Sequence, residues 1–334
     1  MAQTLHANLA QFEATIQVAY YEKQAELFDY FNANSAGAFS LSAGPVIGKT
    51  PEFGFFLEKD TGGRRDLTAT ALRSLSGHTQ DSMKGVVVSG QEYDDASISA
   101  LKQQGIDPMS YSASVGTKMA AHKLQRTFTR AISAALGTIE KSSTSKNDVS
   151  ALSSSYAMSL SLLEDTKDLL GDMGTGLVAV LMHSKMWKEI KKEIGGFSSP
   201  STVTQIAQGI VMTDALMDIL GMRILISDNS ALKVAADSVT VYDRYKTLML
   251  FPSAVSITED ETIPLYSWQD GAYENAMIRS LTEYNQTVVA RGFSYTSGTA
   301  NPTEAQIATT SNWTQKATSI KNGPGVELIT RVSA

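Results

Sequence analysis

Over the first 34 residues the apolar positions Leu9, Phe12, Ile16, Tyr20, Leu27, Phe28 and Phe31 recur mostly at helical steps, which sets them on one face of an amphipathic helix. A single helix of this kind is marginal in water. Either the rest of this chain or further copies of it must therefore cover that face. Ser35 to Gly54 is rich in Gly and Ser and holds Pro45 and Pro51, so the helix cannot continue through it. Phe53, Phe55 and Phe56 then lead into the polar run Glu58 to Asp66, with Gly62, Gly63, Arg64 and Arg65. This predicts an aromatic-lined strand entering a charged, projecting hairpin or loop.

Further along, MKGVVVS from Met83 to Ser89 predicts a short strand bounded by Gly85 and Gly90. Asp107-Pro108 is a helix-start signal, and the helix it opens is expected to run from Ser110 to Thr138. Leu124, Phe128, Ala131, Ile132, Ala135 and Ile139 form its apolar face, and Lys118, His122, Arg126 and Arg130 recur every four residues on the other side. That basic stripe reads as a solvated face. The sharper alternatives are contact with acidic groups of a neighbouring chain or with packaged nucleic acid. After a polar break at Ser142 to Asp148, a helix ending near Gly171, a buried strand Leu177 to Met182 and a helix from Lys185, with Ser184 as its cap, are expected. Strands at Met222 to Ser227 and Leu248 to Phe251 complete an α/β middle region. Val288, Val289 and Phe293 predict a strand from Thr282 onward, and Val326 to Val332 another.

Composition narrows the function. A chain of 334 residues with 43% apolar content can bury a large core. It has no cysteine, which excludes disulfides, thiolate metal sites and cysteine nucleophiles. It has no run of about 18 apolar residues, and MAQTLHANLA lacks a signal-peptide pattern. A soluble protein made in the cytoplasm, with no membrane contact, is expected. The net charge of −6 argues against strong nonspecific nucleic-acid binding.

Candidate chemistry is sparse. Ala43-Gly-Pro-Val-Ile-Gly-Lys-Thr50 satisfies the loose phosphate-loop pattern. The turn and strand expected after Thr50, however, do not give the helix N-terminus that a phosphate needs. The histidines His6, His78, His122 and His183 are dispersed, and none has metal-ligand spacing. Glu259, Asp260 and Glu261, beside Pro264, read as a solvated loop. No serine elbow is present. No catalytic residue, cofactor or metal is assigned.

Several segments, in order, resemble tailed-phage major capsid proteins of the Hong Kong 97 type. The most specific is Asn301-Pro-Thr-Glu-Ala-Gln-Ile-Ala-Thr-Thr-Ser-Asn-Trp-Thr314, and with it go GIDPMSYSASVGTKMAAHKL from Gly105, GDMGTGLVAVLMHSKMWKEI from Gly171, GMRILISD from Gly221 and RRDLTA from Arg64. The resemblance implies an α+β fold with an N-terminal arm (1–40), an extended loop (41–92), a peripheral domain carrying a long spine helix (93–146 and 283–334) and an axial domain (147–282). It further implies a coat protein forming hexamers and pentamers in an icosahedral shell around double-stranded DNA, assembled in the host cytoplasm and residing in the virion. A separate scaffolding protein, a portal and a decoration protein are the other partners it suggests, with DNA touched weakly and nonspecifically. On this view Phe12, Tyr20, Phe28, Phe31, Phe53, Phe55, Phe56, Arg64, Arg65 and Asp66 are inter-subunit candidates. Deleting residues 1–34 is then expected to abolish shells while leaving a folded subunit. Lys49, Lys59 and Lys84 match no crosslinking chemistry, so noncovalent assembly is expected. The alternatives are an encapsulin-like shell around protein cargo and, more distantly, a cytosolic α/β enzyme using the 43–50 loop for a nucleotide.

Overall fold

The computed structural model describes residues 2–46, 51–56, 80–152, 156–193, 203–207, 210–213, 221–236, 242–270, 277–317 and 319–332. In chain order the elements are α1 (Ala2–Asn34), β1 (Phe39–Ala43), β2 (Glu52–Phe56), β3 (Gln80–Lys84), β4 (Val86–Ser97), α2 (Ile98–Gln103) and α3 (Pro108–Ile139). Then follow β5 (Lys146–Asp148), α4 (Leu160–Lys167), β6 (Ala179–Met182), α5 (Ser184–Glu193), β7 (Val203–Ala207), β8 (Ile210–Thr213), β9 (Arg223–Ser227), β10 (Lys233–Val234) and β11 (Arg244–Leu250). The chain finishes with β12 (Val255–Asp270), β13 (Met277–Ala290), β14 (Phe293–Tyr295), α6 (Glu304–Ile307), β15 (Trp313–Gln315) and β16 (Gly325–Arg331).

The helix α3 is the axis of the molecule. Asp107 caps it, accepting a hydrogen bond from the Ser110 amide at 3.1 Å, and Pro108 opens its first turn. The helix α1 packs along it. At Gly116 a side chain would meet the Ile16 carbonyl at 2.6 Å, so the absent Cβ sets how closely the two helices approach. Ile16, Tyr20, Leu27 and Phe31 of α1 are buried, and Phe31, Phe39 and Phe128 form an aromatic cluster with ring centroids 5.3 to 6.1 Å apart. The partner for the N-terminal apolar face is thus this chain's own α3.

On another side α3 lies against a four-stranded sheet of order β1-β12-β13-β4, in which β1 runs parallel to β12 and the other pairs are antiparallel. The β12 register shifts twice between Glu261 and Tyr266, around Pro264. A proline is tolerated there because β1 pairs only with Val255 to Glu259, leaving that stretch at the sheet edge. The strand β4 is longer than the pattern predicts. Gly90, read as a strand end, continues it, and the Tyr284 ring lies where a Gly90 Cβ would be, at 2.6 Å. The strands β2 and β3 pair as a hairpin, in accord with the expected aromatic-lined strand. Pro51 leads into β2 and not into a helix, so the helix N-terminus a phosphate loop needs does not follow there; residues 47–50 of the candidate loop lie outside the described residues.

The second sheet runs β5-β16-β11-β6-β9-β8-β7, with β10 added beside β11. Successive residues of its central strands face opposite ways. Leu181, Leu225 and Leu248 join the core around α3, whereas Val180, Met182, Ile224, Ile226, Met249 and Leu328 pack beneath α4 and α5. The tail from Asn301 to Thr314 folds onto α3. Thr303 and Gln306 form a capping box on α6, and the buried Trp313 donates from Nε1 to the Ile307 carbonyl at 2.7 Å.

The reading of the acidic cluster needs correction. Glu259, Asp260 and Glu261 are not a solvated loop; they lie within β12, and Glu259 is buried because the strand turns its side chain toward α3. The positions 40/41, 92/93, 146/147 and 282/283 lie within β1, β4, β5 and β13.

Candidate assembly interface

The face of β13 turned to α3 is polar, with Ser280, Thr282, Tyr284 and Gln286 all buried. Such groups require partners in the opposing helix. The central one is Lys123, which is 0% exposed and ion-paired with Glu259 at 2.5 Å and Glu261 at 3.2 Å. It also donates to the Tyr20 hydroxyl at 2.8 Å and sits 4.7 Å from the Tyr284 ring centroid. Gln286 donates to Glu259 at 2.7 Å and to Thr127 at 2.7 Å, while Gln24 of α1 donates to Glu259 at 2.9 Å. Four elements are tied together in this way: α1, α3, β12 and β13.

Electrostatics follow from the burial. Desolvation raises the Tyr20 phenol, with Glu261 and Glu259 adding to it. Tyr21 donates to Glu261 at 2.8 Å and is pushed up to about 12 by desolvation and that hydrogen bond. Both phenols stay neutral at ordinary pH, with Tyr21 donating to Glu261 and Tyr20 accepting from Lys123.

The basic stripe of α3 divides. Arg130 is buried, contrary to a solvated stripe: it donates from Nη1 to Gln286 at 2.6 Å, and its Nε lies 3.4 Å from Glu304. Its position next to the polar face of β13 draws it inward. Arg126 is more than half exposed but pairs with the buried Glu92 at 3.4 Å and reaches the Gln91 carbonyl. Desolvation raises the Glu92 carboxyl, and Arg126 partly opposes it. Lys118 and His122 are exposed. His122, Gln125, Arg126, Thr129 and Glu304 line an open recess of about 450 Å³.

The aromatic candidates also divide. Tyr20 and Phe31 are enclosed by their own chain and Phe28 is half-buried against the same core. The rings of Tyr20 and Phe31 are therefore not open to a neighbour. Phe12 lies on α1 and Phe53, Phe55 and Phe56 on β2, with side chains outside the described residues. Arg64, Arg65 and Asp66 lie outside the described residues altogether.

Exposed apolar groups that the sequence reading did not single out lie elsewhere. The cross-strand row Tyr266, Leu281 and Tyr93 runs over the outer face of the four-stranded sheet, with Tyr93 48% and Tyr266 37% exposed and Tyr266 stacked on Trp268. Leu152, Leu169 and Met173 are exposed near the second sheet, and Val18 and Tyr21 on the outside of α1. Strand alternation in β4 and β12 was the signal available for the first group. Among the described residues no cluster of three metal-ligating side chains occurs, and no helix is long and apolar enough to cross a membrane.

Residues 8–327 match the profile of a family described as Gp13-like, major capsid protein 13-like. The capsid of Ralstonia phage GP4 is similar in structure, with a TM-score of 0.54 at 8% identity over 89% of this chain and 88% of that one. The capsid asymmetric unit of cyanophage Pam1 aligns with a TM-score of 0.53 at 8% identity over 89% of each chain. The head structure of Helicobacter pylori bacteriophage KHP40 gives 0.50 at 10% identity over 89% of each. No curated protein matches the sequence.

Proposed function

Because the chain belongs to the Gp13-like major capsid protein family, we propose that its copies associate as hexamers and pentamers and close around the double-stranded DNA of a tailed phage. The protein is a phage major capsid protein of the α+β, Hong Kong 97 type, a structural component of the virion shell and not an enzyme. Self-association is its activity.

In this reading residues 1–40 form the arm, 41–92 the extended loop, 93–146 with 283–334 the peripheral part and 147–282 the axial part. The loop, with Phe53, Phe55 and Phe56 on β2 and Arg64, Arg65 and Asp66 beyond it, reaches a neighbouring subunit. Apolar burial drives that association, and 400 Å² of it is worth about 10 kcal/mol before the ordering costs. The charged tip supplies register and partner choice. Lys118, His122 and Arg126 offer DNA phosphates a weak, salt-sensitive contact. A separate scaffolding protein and a portal direct closure in the host cytoplasm, a decoration protein can bind the finished shell, and no covalent crosslink is required.

The observation that carries this reading is the family match across nearly the whole chain. Negative-stain electron microscopy of the purified protein, alone and with its candidate scaffold, tests it. Closed shells, tubes or hexameric rings are expected. A monodisperse monomer under both conditions would overturn the assembly scheme.

A further inference from the structure

Glu327 stands in the middle of β16, fully buried, and neither of its carboxylate oxygens has a hydrogen-bond partner. Buried carboxylates ordinarily have partners. Its row of the sheet places Leu248 of β11 on one side and Lys146 of β5 on the other. Two residues along, the next row on the same face holds Lys246, Ile329 and Asp148. Lys246 is already ion-paired to Glu140, the residue that ends α3. The opposite face of β16 meets α4 through Leu328, Leu162 and Leu163, and there Glu164 and Asp165 are exposed and Lys167 half-exposed.

The charges acting on Glu327 are therefore Glu140 from α3, Lys246 from β11, and Lys146 and Asp148 from β5. These four sum to zero. A neutral Glu327 leaves the junction balanced. An ionised Glu327 adds an uncompensated negative charge beside Glu140 and the negative end of the α3 dipole. Two reliefs exist: Lys246 leaves Glu140 for Glu327, or the junction opens and admits water.

We propose that Glu327 is a proton-operated latch that holds the C-terminal end of α3 against the eight-stranded sheet when neutral and releases it when ionised. Burial first, and Glu140 next, push its carboxyl up to about 7, against 4.5 for an ordinary glutamate. Opening returns the group to water and its ordinary value. Linkage then fixes the profile. The open fraction rises about tenfold per pH unit between about 5 and 7 and levels off above that, because both states are then ionised.

Hydrogen–deuterium exchange of the purified coat protein, corrected for the intrinsic pH dependence of amide exchange, reads this directly. Protection in peptides spanning 136–148 and 325–331 is expected to fall about tenfold per pH unit from about 5 to 7 and then level. A peptide from 283–290 should show no such slope. Glu327→Gln, neutral at every pH, should remove the slope, whereas Glu140→Gln should bring the levelling point to lower pH. Wild-type protection independent of pH, or an unchanged slope in Glu327→Gln, would overturn the latch. If Glu327→Gln does not yield soluble protein, an unchanged levelling point in Glu140→Gln would overturn it.

Discussion

Lys123 and Glu259 form an ion pair 2.5 Å long inside the core, joining the helix α3 to β12, the longest strand of its sheet, through side chains 0% and 4% exposed. Removing one member leaves the other charged, buried and unmatched. Lys123→Met is expected to destabilise the protein by about 3–5 kcal/mol. Lys123→Met combined with Glu259→Gln should recover part of that loss, since a glutamine at 259 can still accept a hydrogen bond from Gln286. Calorimetry of the wild type and the two variants checks both statements. Equal losses in the single and double variants would show that packing, not charge, dominates the site.

Close approach at Gly116 gives a second prediction. A methyl group there would lie 2.6 Å from the Ile16 carbonyl and 3.1 Å from the Tyr20 amide nitrogen, and backbone atoms cannot step aside as a side-chain tip can. Gly116→Ala is expected to push α1 from α3 and cost roughly 1–3 kcal/mol, despite the better helix propensity of alanine. Limited proteolysis should cut the first 34 residues sooner in this variant. Unchanged cleavage and melting would contradict the crossing.

The same packing changes what truncation should do. Ile16, Tyr20, Leu27 and Phe31 are buried in the common core, so deleting residues 1–34 uncovers α3 and the charges around Lys123. The truncated protein is now expected to lose its cooperative fold along with its ability to form shells. Circular dichroism with thermal melting distinguishes this from the separable arm that the sequence alone suggested.

His183 gives an acid-side prediction. Its Nδ1 accepts a hydrogen bond from the Lys185 amide at 3.2 Å, at the start of α5, which requires that nitrogen to be unprotonated. Burial lowers its pKa below 6.5, opposed by Asp228. The unfolded chain therefore binds the proton more readily, and this group's contribution is present above about 6.5 and lost as pH falls through the folded value. His183→Asn keeps an acceptor at the helix start without a proton equilibrium. The variant should lose less melting temperature than the wild type between pH 7.5 and 5, and an equal loss would remove His183 from the account.

What the sequence made legible were features set by local chemistry. Asp107 and Pro108 announce α3, the run through Met182 is a fully buried strand, and the spacing of Ile16, Tyr20, Leu27 and Phe31 marks the face that is covered. Polarity misled wherever a tertiary partner decides the outcome. Arg130 and Glu259 look like solvated charges until Gln286 and Lys123 are seen opposite them. Lys123 carried no readable signal, since at about 100° per residue it falls beside Arg130 of the basic stripe, and only the strands opposite bury it. Nothing local distinguishes Glu327 from any glutamate in a strand, because its isolation is made by β5, β11 and α3 together.

The strand β16 is hydrogen-bonded on one side to β5 and on the other to β11, so residues 325–331 fill a slot between strands made long before them. During synthesis that slot stands open as two unpaired strand edges, a state prone to pair with a foreign strand. Closing it joins residues about 180 positions apart in the chain, a slow kind of contact to form. A subunit thus acquires its finished sheet as one of its last folding events.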